Sequence, residues 1–264
     1  MLPREITKQV LFKISIGMLL VVLPSTFLLL VHREDIYNVY INMYTAFVAT
    51  LSTLLSLQVV QRLRKSPPDV VRPWVFLTTG LGLWALAEII WFCYILIVGH
   101  APEISVCDFF WLFGYLPLTV GLWEIIRQFS RTLKSIDYNV WKNPVMVLLV
   151  FTYTLIFLIG AGRAMSIESS QEQEFFIIET SYVLLDILLI VFSLAVARIF
   201  KGGITGFSLT LVATGFSLLA FADLLYTLVE TSEFILADIL YALSYVIIAI
   251  GILVYLKYII PRML

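Results

Sequence analysis

Charge is what this sequence has least of: Asp, Glu, Lys and Arg make up 13% of its 264 residues, about half the share a soluble domain carries. Hydrophobic residues reach 61% and the mean hydropathy is +1.00. A water-soluble fold of this length cannot hide that much apolar surface, so lipid must be the solvent for most of it. The net charge of −1 provides no general basic field and excludes nucleic acid as a partner. No Lys falls mid-span, which excludes a retinal Schiff base. The two histidines, His32 and His100, sit at helix ends, unpaired across the bundle, which argues against a bis-His haem. The two cysteines, Cys93 and Cys107, have no metal-ligand spacing. They should lie near one membrane face, either as buried apolar thiols, the favoured reading, or as a disulfide. The chain has no H-E-x-x-H, Walker or G-x-S-x-G motif. No loop exceeds about 20 residues, so a soluble output domain is expected to be another chain.

What is present is a series of apolar runs of spanning length. They are read at 11–31, 38–61, 74–98, 107–126, 144–161, 175–197, 206–229 and 235–258. The first is long, lacks a small-x-small cleavage signature and is read as a retained helix. Pro73 and Pro144 suit first helical turns, while Pro24 and Pro117 predict kinks. Of the 17 basic residues, all but Arg33 and Arg163 fall on one side of this arrangement. The opposite loops carry Glu103, Glu168, Glu172, Glu174, Glu230 and Glu233. By the positive-inside rule the chain is a multi-pass cell-membrane protein with both termini cytoplasmic.

The expected fold is all-α: a polytopic bundle of eight transmembrane helices built as a 4+4 parallel repeat, residues 1–135 and 136–264. The third span reads T-T-G-L-G-L-W-A-L-A-E-I-I-W from Thr78, and the seventh A-T-G-F-S-L-L-A-F-A-D-L-L-Y from Ala213. At an offset of 135, Thr79, Gly80, Leu83, Ala85 and Ala87 recur as Thr214, Gly215, Leu218, Ala220 and Ala222. Glu88 then matches Asp223, and Trp91 matches Tyr226. At an offset of 130, Asp108, Tyr115 and Gly121 recur as Asp238, Tyr245 and Gly251, with Trp111 at Tyr241. Arg62 and Lys65 resemble Arg198 and Lys201 at an offset of 136. Four spans per half give both halves one orientation, hence a pseudo-twofold axis along the membrane normal. Spans three, four, seven and eight should form the core and spans one and five the periphery.

Ionisable residues at membrane depth are costly and normally face the bundle interior or a wet cavity. Glu88, Asp186 and Asp223 lie at such depth with no Lys or Arg level with them. They must be protonated, share a proton, bind a cation or be hydrated. Helical spacing puts Gly80, Trp84, Glu88 and Trp91 on one stripe, and Gly215, Leu219, Asp223 and Tyr226 on its counterpart. Asp108, Trp111 and Tyr115 share a face, as do Asp238, Tyr241 and Tyr245. The expected ligand site is an outward-half pocket of these acids and aromatics, twice repeated. Simpler roles compete with it. Asp108 and Asp238 suit the first-turn macrodipole, and Ser105 with Asp108 fits a capping box. The aromatics suit an interfacial belt, Glu88 and Asp223 suit structural hydrogen bonds, and Gly80 and Gly215 suit helix contacts.

The segment W-A-L-A-E-I-I-W, then A-P-E-I-S, then D-F-F-W-L-F-G-Y-L-P-L resembles the multi-spanning N-terminal membrane regions of prokaryotic GGDEF and histidine-kinase signalling proteins. The resemblance covers residues 79–121, with a weaker echo at 214–251, through Trp84, Glu88, Trp91, Asp108, Gly114 and Tyr115. It implies a sensory input module, with the output domain expected on a separate chain. The leading expectation is therefore a receptor-like ligand-binding or sensing module, in contact with membrane lipids and a separate signalling partner protein. A secondary transporter or proton-coupled carrier is the alternative. An intramembrane lipid-modifying enzyme ranks below both, because no D-x-x-D motif is present. The residues identify neither a metal nor a cofactor.

Overall fold

A computed structural model of the chain describes residues 4–100, 102, 104–132, 154, 170–200, 202–228 and 235–263. The described residues are all-helical, and seven of the helices are long and apolar enough to cross a membrane. They are α1 (Arg4–Leu30), α2 (Glu34–Leu63), α3 (Pro68–Val98), α4 (Val106–Thr132), α5 (Ser170–Ile199), α6 (Gly203–Leu228) and α7 (Ile235–Val254). A π-turn, Tyr255–Ile259, and a last helical turn, Ile260–Met263, continue α7. Apart from Thr154, the expected span at 144–161, with Pro144, lies outside the described residues. So do Glu103, Lys134, Lys142, Arg163, Glu168, Lys201, Glu230 and Glu233.

The helices run past the apolar stretches that predict them. The 31 residues of α3 would measure about 46 Å at 1.5 Å per residue, against about 30 Å of hydrocarbon. Pro73 is consequently inside α3, not in its first turn, and the proline in that first turn is Pro68. Glu172 and Glu174 likewise belong to α5 and not to a loop. Pro24 and Pro117 are interior to α1 and α4. The α1–α2 corner is closed by His32 at φ 54°. Arg33 N–H donates to Leu28 O at 2.9 Å and His32 N–H to Leu29 O at 3.0 Å, the paired bonds of a Schellman ending.

Each of α2 to α7 packs on the next, and α7 returns to α2, closing a ring of six helices; α1 lies outside it against α7 and α2. Only 17% of the apolar window of α1 is buried, against 72% for the last span. The core expected from spans three, four, seven and eight thus also takes in the second and sixth, α2 and α5. Outward faces are apolar, with Phe12 66% and Ile97 79% exposed, a surface suited to lipid and not to water. The two tightest pairs, α3–α4 and α6–α7, approach through small residues. A Cβ on Gly80 would fall 2.4 Å from Leu118 Cγ and 2.8 Å from Gly114 O. One on Gly215 would fall 2.4 Å from Ile248 Cγ1 and 2.8 Å from Ser244 O. Both glycines therefore serve helix contact. Cys107 is buried but Cys93 is exposed, and both are free; the expectation of two buried thiols fails for Cys93 because its side of α3 faces outward.

Candidate functional site

Trp84 organises the centre of the ring. It is 1% exposed and packs edge-on against Tyr115, Phe216 and Tyr245, at centroid distances of 5.0, 6.2 and 6.5 Å. Its indole N–H donates to Trp111 O at 2.9 Å, which links α3 to α4. A residue so enclosed holds the site together and has no surface left for a ligand. Trp91 lies further along the stripe, half-buried, with its ring 5.4 Å from that of Trp111.

Around this hub the carboxylates are held by indole and phenol donors. Glu88 on α3 is 5% exposed. Its Oε1 accepts from Trp111 Nε1 on α4 and from Tyr245 OH on α7, both at 3.2 Å. Asp223 on α6 accepts from Tyr241 OH on α7 at Oδ1, and its Oδ2 lies 3.0 Å from Tyr115 OH on α4. Asp186 on α5 is 1% exposed, and Tyr115 OH donates to its Oδ1 at 2.7 Å. Nearer the helix ends, Asp238 accepts from Tyr37 OH on α2 at 2.9 Å, and from Tyr226 OH on α6. Asp108 accepts from Tyr182 OH on α5 at 2.9 Å.

All twelve residues expected from the sequence to form the site therefore fall in or beside one region. Glu88, Trp111, Tyr115, Asp186, Asp223, Tyr241 and Tyr245 make up its centre. Asp108, Asp238 and Tyr226 lie in flanking hydrogen-bonded pairs. Trp84 scaffolds the centre and Trp91 borders it. The capping box is also present: Asp108 Oδ2 accepts from Ser105 N–H at 2.8 Å, and Ser105 Oγ accepts from Cys107 N–H at 3.1 Å. Asp108 thus caps α4 with one oxygen and holds Tyr182 with the other. Two participants escaped the sequence reading, Tyr37 and Tyr182. The available signal was Tyr182 one helical turn before Asp186, on the same face; Tyr37 stands in a Tyr-rich stripe with Tyr44 and had no acid beside it to mark it.

The chemistry follows from counting hydrogens. Tyr115 has one hydroxyl hydrogen, yet its oxygen lies within hydrogen-bonding distance of two carboxyl groups. It can donate to only one of them. The other short contact needs a hydrogen from the carboxyl side, so Asp186, Tyr115 and Asp223 form a shared-proton unit. The chain stretches carrying the acids, 73–126, 164–197 and 202–256, contain no Lys or Arg. Among the described residues Glu88 and Asp186 have no ion-pair partner, and a carboxyl buried at membrane depth is held neutral by a proton or balanced by a bound cation. Among the described residues no His, Cys, Asp and Glu group has the geometry to hold a metal ion, so a protein-built metal cage is absent there. No known protein family, curated protein or solved structure matches this chain.

Proposed function

We propose that this membrane protein is a receptor-like sensing module whose occupant is a cation, the proton included, held by the carboxylate–tyrosine cluster. The observation that carries the reading is the Tyr115 hydroxyl within hydrogen-bonding distance of two buried acids, Asp186 and Asp223. A charge change there acts on α4, α5 and α6 at once, which is what a sensor needs to convert occupancy into helix position. A separate membrane-associated partner receives that change, in keeping with the resemblance to input regions of signalling proteins.

The module is an eight-span, 4+4 parallel duplication with both termini cytoplasmic. Reciprocal contacts support this. Glu88 takes one donor from its own half, Trp111, and one from the other, Tyr245. Asp223, its sequence counterpart, takes Tyr241 from its own half and Tyr115 from the other. Each donor is the counterpart of the other at the 130 offset. Such mutual exchange is the signature of a twofold relation. The glycine contacts repeat it, since Gly80 with Gly114 and Leu118 corresponds to Gly215 with Ser244 and Ile248. Tyr37 and Tyr182 play matching roles at Asp238 and Asp108. Their 145-residue separation departs from the 136 offset of Arg62 and Arg198, so α2 and α5 correspond in role and not in register.

The second reading, a proton-coupled carrier, is favoured by the same midplane acids in a duplicated bundle. One experiment separates the two. Full-length protein in vesicles with a pH-sensitive dye inside is stepped in external pH while Trp emission is followed. The sensing reading expects an emission change that is lost in Glu88→Gln/Asp223→Asn and no change in luminal pH. Protein-dependent luminal acidification would decide for the carrier, and flat emission together with an unchanged luminal pH would reject both.

A further inference from the structure

At the end of the bundle away from the acids, a cleft of about 440 Å³ opens between the start of α3, the end of α4, the start of α6 and the π-turn after α7. The volume lies within the range of small-ligand sites, roughly 300–1,000 Å³. One wall is aromatic, Trp74 against Tyr255 at a centroid distance of 4.5 Å. Another is aliphatic and includes Ile125, Ile204 and Leu209. Its polar side chains include Gln128, Thr205, Tyr255, Tyr258 and Arg262, and the Tyr258 hydroxyl is engaged with Gln9 Oε1 at 3.0 Å. Arg262 and Thr205 line the cleft, and neither has a hydrogen-bond or ion-pair partner among the described residues. The Tyr255 hydroxyl accepts from the Trp74 indole and donates only to Met263 Sδ, at 3.9 Å, and a thioether is a weak acceptor. Among the described residues on the lining, Arg262 is the one charged group and none is a carboxylate. The π-turn at Tyr255–Ile259 brings Tyr255, Tyr258 and Arg262 onto this cleft, and local π geometry of this kind is frequent at functional sites.

Arginine, threonine and tyrosine donors on the lining of an aliphatic, aromatic-walled cleft suit a phosphate joined to acyl chains. The cleft lies at the bundle end that carries Lys13 and Lys257 and the pair Arg72 and Arg127 around the single carboxylate of Glu124, and a basic membrane face attracts anionic headgroups. We propose that this cleft is a binding site for one anionic phospholipid, with its phosphate on Arg262, Thr205 and Tyr255 and an acyl chain along Ile125, Ile204 and Leu209. The site is independent of the carboxylate cluster.

The test uses the full-length chain, purified from nanodiscs of equimolar phosphatidylglycerol and phosphatidylcholine, with retained lipid counted by native mass spectrometry. Wild type should retain about one phosphatidylglycerol per chain in preference to phosphatidylcholine. Arg262→Gln, an exposed position that should leave the fold intact, should cut that preference about fivefold, the worth of one basic group at a membrane surface. Arg262→Lys should keep most of it. Thr205→Trp, which fills the cleft, should abolish retention, while Arg33→Gln at the other end should change nothing. Equal retention of both lipids by wild type, undiminished preference in Arg262→Gln, or displacement of the lipid by inorganic phosphate would each overturn the proposal.

Discussion

Replacing Tyr115 by Phe removes one oxygen and probes the centre of the site. Tyr115 is 1% exposed, so the ring stays packed against Trp84 while its two contacts to Asp186 and Asp223 disappear. Transmembrane hydrogen bonds average about 0.6 kcal/mol in double-mutant cycles, which gives about 1.2 kcal/mol for the two. The losses are unequal. Asp223 keeps Tyr241. Asp186 has no other hydrogen-bond donor among the described residues, and a buried polar group left without a partner costs about 1–3 kcal/mol. The expected destabilisation is therefore about 2–3 kcal/mol. It should be read from SDS-driven unfolding in mixed micelles. Because the cost comes from a stranded carboxyl, Asp186→Leu placed on Tyr115→Phe should recover part of it, and the two changes should be non-additive by about 1 kcal/mol or more. Tyr94→Phe, which removes a hydroxyl outside the cluster, should stay within about 0.5 kcal/mol of wild type. A Tyr115→Phe protein as stable as wild type, or additive behaviour with Asp186→Leu, would refute the shared-proton geometry.

Three further outcomes are expected. Gly80→Val and Gly215→Val should each lower the thermal midpoint strongly, because their Cβ atoms would meet Leu118 and Ile248 at 2.4 Å and overpacking costs about 1–3 kcal/mol. Gly82→Ala should be neutral or mildly stabilising in the same melt, since its Cβ would sit 3.7 Å from Thr53. Cys93 should react with a membrane-permeable maleimide while Cys107 stays protected until denaturation, and mobility on gels should not depend on reductant; equal labelling of both would contradict the orientation of α3. Asp35→Cys should be labelled by an impermeant reagent from outside intact cells, and Ser66→Cys only after lysis; the opposite pattern would invert the proposed topology.

Composition and periodicity alone determined the solvent, the helical class and the approximate spans, because a hydrocarbon interior leaves helices as the simplest way to satisfy each backbone group locally. The same scarcity of charge made Glu88, Asp186 and Asp223 conspicuous, and helical spacing aligned Trp111 and Tyr115 with Asp108. Sequence could not say which donor meets which acid. The bond between Tyr115 and Asp186 spans 71 residues and that between Tyr245 and Glu88 spans 157, and neither separation carries a local signal. Closure of α7 onto α2 brings Tyr37 to Asp238, 201 residues away, which is why Tyr37 was missed. The exposure of Cys93 was likewise set by how α3 is rotated in the ring, and Pro73 fell inside α3 because helices outrun the hydrophobic stretch that reveals them. The cleft on Arg262 is the furthest from the sequence. It depends on a π-turn, and that local change of helical pitch turns Tyr255 and Arg262 toward the start of α3 and α6, a rotation that the 3.6-residue period of the preceding helix does not contain.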